Sequence, residues 1–262
     1  MIRALYTAAS GMSAQQANLD TVANNLANSG TAGFRARQMQ FEDMIYQNLV
    51  TPGAADSQQT MSAGLQIGLG TKSTSSEMIM TQGTLNQTGN QYDLAIQGGG
   101  FFQVSKPDGT IEYTRAGNFT RNNQGTIVTE DGDTVLPAIT VPQNATSVTI
   151  SQYGVVTATI PGQTNPAQLG TIQLATFPNP EGLESVGSNL FQQSAASGNP
   201  ITDTPGGNSG MGTLQQGYVE NSNVDVVGEF VQMILAQRAY ESNSKVVHVA
   251  DDMYSQINNL VQ

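Results

Sequence analysis

The sequence predicts an α+β protein, with a β-rich middle domain flanked by long N- and C-terminal helices that pack together in a coiled-coil-like terminal domain. Three observations carry this. Of 28 glycines, only Gly11 and Gly228 fall within residues 1–29 and 224–262, and all ten prolines lie between Pro52 and Pro205. Glycine and proline break helices, so both ends are free to form them. Both ends also carry apolar residues at helical spacing, whereas the middle alternates short apolar runs with turn residues. The expected division is 1–30 plus 224–262 as a helical polymerisation domain, 31–77 as an extended junction, and 78–223 as the β-rich outer domain.

Residues 3–28 read as the first helix. Leu5, Met12, Leu19 and Leu26 repeat every seven residues, with Ala8 and Val22 on the second seam position. Asn28-Ser29-Gly30 is a plausible stop, because Asn and Gly tolerate the left-handed conformation that ends helices. Residues 31–70 read as extended and irregular, with a short helical turn around Phe41 to Leu49 and loops at Pro52-Gly53 and Ser62 to Gly70. Strands are expected at Tyr92–Ile96, Phe101–Val104, Thr110–Thr114, Asn118–Thr120, Val135–Ala138, Ser147–Ser151, Val155–Thr159 and Thr171–Phe177. Pro107-Asp108-Gly109 supplies turn chemistry between two of them. Short strands at this spacing fit a sandwich or barrel-like domain. Residues 185–212, rich in Ser, Gly and Asn, read as surface loop, and Tyr218–Asn221 as a last strand. The second helix is expected over 225–261, with Asp225 near its positive end. Its stripe is Val224, Val227, Val231, Ile234, Val246, Val249, Met253, Ile257 and Leu260. Both stripes ask for a partner helix.

Composition narrows function. Charged residues are 11%, and the net charge is −11. Residues 1–28 are neutral, 29–223 carry 6 basic and 14 acidic residues, and 224–262 carry 2 and 5. Such a chain has no electrostatic footprint for nucleic acid or for an anionic membrane surface. Cysteine is absent, which removes disulfides, thiolate catalysis and Cys-based metal sites. No run of 18 apolar residues exists, so direct membrane insertion is not expected. Residues 1–29 lack the basic and apolar regions of a Sec signal.

No chemistry-bearing constellation stands up, and no cofactor is expected. His248 is the single histidine and lacks a zincin partner. Asp251 and Asp252 beside it project about 100° apart on a helix. Gly68-Leu69-Gly70-Thr71-Lys72-Ser73 fails as a phosphate loop, because Thr71 stands where glycine is required. Gly98-Gly99-Gly100 precedes a strand, which suits close backbone approach better than a dinucleotide. Asp131-Gly132-Asp133 lacks the spacing of a calcium loop.

Three stretches are specific. They are Val22-Ala23-Asn24-Asn25-Leu26-Ala27-Asn28 with Gly33-Phe34-Arg35; Asp93 to Phe102 with Tyr113-Thr114-Arg115-Ala116-Gly117-Asn118-Phe119; and Gly217-Tyr218-Val219-Glu220-Asn221-Ser222-Asn223-Val224 with Gln237 to Lys245. In this order they resemble the bacterial flagellar rod and hook family across essentially the whole chain. Tyr46-Gln47, Pro52-Gly53-Ala54 and Gly64 to Thr71 resemble a segment characteristic of rod rather than hook members. The resemblance implies an exported axial subunit of the flagellar basal body, in the envelope between periplasm and outer membrane. It would polymerise with itself into a straight hollow drive shaft and adjoin the proximal rod, the hook and the surrounding rings. Export would run through the flagellar type III apparatus, in keeping with the absent Sec signal. Leu5, Met12, Leu19, Val22 and Leu26, with Val227, Val231, Ile234, Val246, Val249, Met253, Ile257 and Leu260, become the expected subunit interface. Tyr46, Pro52, Leu65, Ile67 and Leu69 become a segment that fixes straightness. A bendable hook-type or proximal-rod subunit is the second reading, and a secreted β-rich adhesin or hydrolase the third.

Overall fold

The computed structural model describes residues 2–50, 55–56, 59–60, 64–163, 165–207 and 210–260. The chain forms two compact units: one from residues 1–27, 37–78 and 225–262, the other from 28–36 and 79–224.

The first unit is a helix pair with a β ribbon. Helix α1 runs Ile2–Ala27 and helix α2 runs Val226–Leu260. Asp225 caps α2: its carboxylate accepts from Val227 N at 3.2 Å and its carbonyl from Glu229 N at 2.8 Å. At 1.5 Å per residue α2 is about 52 Å long. The two helices pack together and run antiparallel, because Gly11 lies against Asn243 while Asn25 bonds Glu229. No described helix is long and apolar enough to cross a membrane.

Residues 37–78 correct the expected helical turn near Phe41 to Leu49. Arg37–Asp43 pairs antiparallel with Thr71–Met78, and Tyr46–Val50 pairs with Leu65–Gly68. The strand Leu65–Gly68 likewise replaces part of the loop expected at 62–70. The ribbon pairs backbone groups that a single helical turn would leave open. Ser10 Oγ on α1 accepts from Thr71 N at 3.4 Å, and Asn25 brackets Arg37 through its N–H (2.9 Å) and carbonyl (2.8 Å). These bonds hold the ribbon root on one flank of α1.

The second unit is built of antiparallel sheets around one apolar cluster. Its largest sheet has nine strands, with Phe101–Ser105 at the centre. That strand pairs with Ile111–Thr114 on one edge and with Thr134–Leu136 and Leu174–Thr176 on the other. Ser147–Ile150, Val155–Thr159 and Ala167–Thr171 form a second sheet. Leu94–Gln97 pairs with Thr213–Gln216, and Leu85–Gln87 with Tyr218–Glu220. The fully buried Phe102 and Phe119 meet edge-on at 5.0 Å within the cluster.

The expected surface loop at 185–212 is corrected too. It contains strands Leu190–Gln192 and Ile201–Asp203 and most of Glu184–Gly187. Phe191 is buried against Phe101 at 5.8 Å. Ser188 and Asn189 take positive φ in the tight turn that makes the pairing possible. Thr171–Phe177 divides into two strands, and the strand expected at Asn118–Thr120 begins at Thr120, with Asn118 only bridging Asp93.

Candidate polymerisation surface

Helix α2 has two faces of opposite chemistry. Ala236 and Ala250 are buried, and Glu229, Met233, Asn243, Val247 and Tyr254 are half-buried. At about 100° per residue these share one face with Tyr240. The matching face of α1 carries Ala8, Gly11, Gln15, Asn18, Val22 and Asn25. The contact between the helices therefore mixes small and polar side chains with a few larger apolar ones, Val22, Met233 and Val247 among them. A Cβ on Gly11 would sit 2.8 Å from Asn243 Nδ2, so the Asn243 side chain packs directly on the bare α1 backbone there. At the other end, Asn25 Nδ2 donates to Glu229 Oε1 at 3.0 Å. Burial raises the Glu229 carboxyl above its usual range, while the Asn25 bond pulls it down and Asp225 adds to the rise.

The apolar stripe of α2 lies on the opposite face. Val227 is 72% exposed, and Val231, Ile234, Val246, Val249, Met253 and Ile257 are each between 44% and 52% exposed. Phe230 and Leu235 widen the patch. The α2 side chains expected at the subunit interface are therefore left largely uncovered within the single chain, while Ala236 and Ala250 are buried on the other face. Leu260 lies on α2, but its side chain falls outside the described residues. On α1, Val22 is buried, and Leu5, Met12, Leu19 and Leu26 form a half-buried flank beside the seam. A monomer surface this rich in large apolar side chains marks an interaction face.

The ribbon adds a second apolar surface. Ile45 is 84% exposed, and Tyr46, Leu49, Leu65 and Leu69 are exposed as well, while Ile67 is half-buried. Tyr46 lies opposite Gly68 in the register. Pro52 lies outside the described residues.

Sequence reasoning missed a polar knot in the β unit. Glu220 is fully buried and sits between two buried guanidinium groups. Arg35 Nη2 donates to its Oε1 at 2.7 Å, and Arg115 Nε and Nη2 reach its Oε2 at 3.0 and 2.8 Å. Gly83 N also donates to Oε1 at 2.9 Å. Beside it, Asn223 receives Ala36 N (2.7 Å) and donates to the carbonyls of Ile79 (2.8 Å) and Thr81 (3.0 Å). Gly33 takes φ +69° and donates to Glu220 O at 2.8 Å; a Cβ there would meet Ala116 N at 2.4 Å. The knot ties residues 33–36, 79–83 and 220–223, which border three of the four points where the chain passes between units. Desolvation pulls Arg115 down to about 10, with Glu220 pushing back and Arg35 adding to the fall, so it stays charged at neutral pH. The available signal was three charged residues inside apolar surroundings in a chain with few charges.

The sequence matches known families along most of this architecture. Residues 5–35 match the family described as flagella basal body rod protein. Residues 95–158 match the flagellar hook protein FlgE/F/G D1 domain, and 215–260 the flagellar basal body rod FlgEFG protein C-terminal family. A flagellar basal-body rod protein FlgG of Buchnera aphidicola is 46% identical over 261 residues, 99% of this chain and 100% of the relative. That of Caulobacter vibrioides is 49% identical over 254 residues, 96% and 97% of the two chains. That of Borreliella burgdorferi is 46% identical over 263 residues, 99% of each.

Proposed function

Because this chain belongs to the flagellar basal-body rod family, we propose that its structural role is carried by the outward apolar face of α2, closed in the filament by further copies of the same chain. The chain is a structural subunit of the distal rod, located in the flagellar basal body. It polymerises and associates with other basal-body components. In the proposed assembly Val227, Val231, Ile234, Val246, Val249, Met253 and Ile257 meet the leucine flank of α1 in neighbouring subunits: Leu5, Met12, Leu19 and Leu26. Torque then passes through many shallow contacts around a hollow shaft, and no bond-making step is needed. The proximal rod and the hook are the proposed end neighbours, the rings the proposed lateral ones, and the type III apparatus the proposed export route.

The observation that supports this reading is the two-faced α2, whose weak small-residue seam leaves its large apolar side chains uncovered. Val231→Asp tests it. The variant is expected to keep the circular dichroism of the soluble wild-type chain and to lose polymer yield, because the carboxylate would be desolvated only in the assembly. Normal filaments from the variant would remove α2 from the interface.

The ribbon supports a second part of the proposal. Its exposed Ile45, Tyr46, Leu65 and Leu69 offer a surface for neighbouring subunits, and such docking would stiffen the shaft and keep it straight.

A further inference from the structure

Charge interrupts the outward apolar face of α2. At about 100° per residue, Arg238, Glu241 and Lys245 fall on the same line as Val227 and Ile234, opposite the seam, and all three are exposed. Among the described residues neither cation has an ion-pair partner. Glu241 can balance only one of them. It stands four residues before Lys245, the favourable order for a pair along a helix, whereas Arg238 precedes it in the reversed order. Asp252, the next acid on this line, lies about 21 Å further along the axis. Arg238 is thus the cation left without an anion, and it adjoins the exposed apolar block that ends at Leu235.

An unbalanced guanidinium is costly to cover with another subunit, and α1 carries the matching anion. Asp20 is the only charged residue between positions 4 and 34, it is exposed, and it has no ion-pair partner among the described residues. Around the helix, exposed Ala9, Gln16 and Ala23 lie between Leu19 and Asp20, so the carboxylate and the leucine flank share one surface away from the seam. Apolar spacing alone fixes the register of such a surface poorly. Leu5, Met12, Leu19 and Leu26 recur every seven residues, and so do Val227 with Ile234 and Val246 with Met253. A slip of one repeat, about 10 Å, exchanges one large apolar side chain for another. A single anion set against a single unbalanced cation removes that degeneracy, as polar residues do in coiled coils.

We propose that Asp20 of one copy pairs with Arg238 of a neighbouring copy, and that this pair fixes the register in which α1 lies on the outward face of α2. The inference rests on the interface proposed above and names its specificity-determining contact. The occupant is a second copy of this chain, whose carboxylate a planar guanidinium can grip through two N–H groups. Within one chain both side chains point away from the seam, so the pair forms only between copies.

The test is charge reversal in the full chain, read as the critical concentration for polymerisation. Asp20→Arg and Arg238→Asp each place like charges together, and each is expected to raise that concentration by about tenfold or more. Both residues are exposed in the single chain, so the circular dichroism of the soluble variants should match the wild type. The double variant Asp20→Arg with Arg238→Asp restores the pair in reverse and is expected to recover most of the loss. Asp20→Arg with Lys245→Asp makes the same charge change two turns away and should not recover it. Normal polymerisation of either single variant overturns the proposal, and so does a double variant no better than the singles or rescue through Lys245 instead. Val231→Asp separates this outcome from failure of the interface itself: if it blocks assembly while the charge reversals do not, the interface stands and the pair falls.

Discussion

Glu220→Gln should be the most damaging isosteric change in the β unit. Glu220 is fully buried and accepts four hydrogen bonds or ion-pair contacts at 2.7–3.0 Å from Arg35, Arg115 and Gly83. Glutamine keeps the shape but removes the charge and replaces one acceptor with a donor facing a guanidinium. Breaking one buried ion pair costs about 3–5 kcal/mol, mainly because the surviving charge stays buried. Here two arginines lose the same counter-ion, so about 4 kcal/mol is a conservative expectation. Domains are stable by about 5–15 kcal/mol, and with a urea m-value of about 2–3 kcal/mol/M the midpoint should fall by roughly 1.3–2 M. The assay is urea unfolding followed by the β-sheet circular dichroism signal, since the chain has no tryptophan. Glu112→Gln is the internal control. Glu112 is buried too, but its Lys106 partner, 2.9 Å away, is partly open to solvent and can rehydrate, so its midpoint should move much less. The reasoning is falsified if both variants shift the midpoint equally. Replacing Arg35, Arg115 and Glu220 together by methionine should cost less than Glu220→Gln alone, because no orphaned charge remains.

Three further outcomes are expected. Gly11→Val crowds the Asn243 side chain at the 2.8 Å contact and should destabilise the helix pair by about 1–3 kcal/mol, read as earlier loss of helix on heating. The raised Glu229 carboxyl means the folded helix pair holds its proton more tightly than the unfolded chain does. Helix stability should therefore fall as pH rises from about the ordinary carboxylate range (roughly 4.3) through the Glu229 value and stay level above it. Subtracting the pH profile of Glu229→Gln isolates this contribution, and identical profiles would contradict it. Removing Pro52 to Met61 should leave polymerisation intact and make the shaft curved or flexible, measured as filament curvature in electron micrographs; straight filaments would reduce the segment to a passive loop.

The helices, the β-rich middle and most strand centres were legible because they follow local rules: breaker distribution, period 3.6 and period 2. Tertiary choice was not legible. Both faces of α2 are regular, and an apolar stripe attracts attention that alanine, glycine and asparagine do not, so Ala236, Asn243 and Ala250 were passed over as the seam. The ribbon at 37–78 was misread in part because Phe41 to Leu49 is too short for period to separate helix from strand. Leu190 and Phe191 were lost in a Ser- and Gly-rich stretch where only their partner Phe101, about ninety residues away, makes them core. The knot joins residues 35, 115 and 220, and nothing local in any of those segments announces the other two.

The arrangement of α2 also bears on when the chain assembles. Val227, Val231, Ile234, Leu235, Val246, Val249, Met253 and Ile257 are all at least 44% exposed in the single chain. Full burial of such a side chain contributes about 1.5–3 kcal/mol. Covering the remaining half of each adds roughly half that, or about 6–12 kcal/mol in total for these residues. Fixing one subunit against another costs about 4–15 kcal/mol in lost freedom. The two ranges overlap, so one neighbour covering part of the face leaves association marginal. Several neighbours sharing the face share that cost as well, because a subunit is immobilised only once. Growth on an existing end is therefore favoured over pairing in solution. A leucine-rich seam between α1 and α2 would shift that balance by burying the apolar surface within the monomer, and the alanines, glycine and asparagines at the seam keep it available for the polymer.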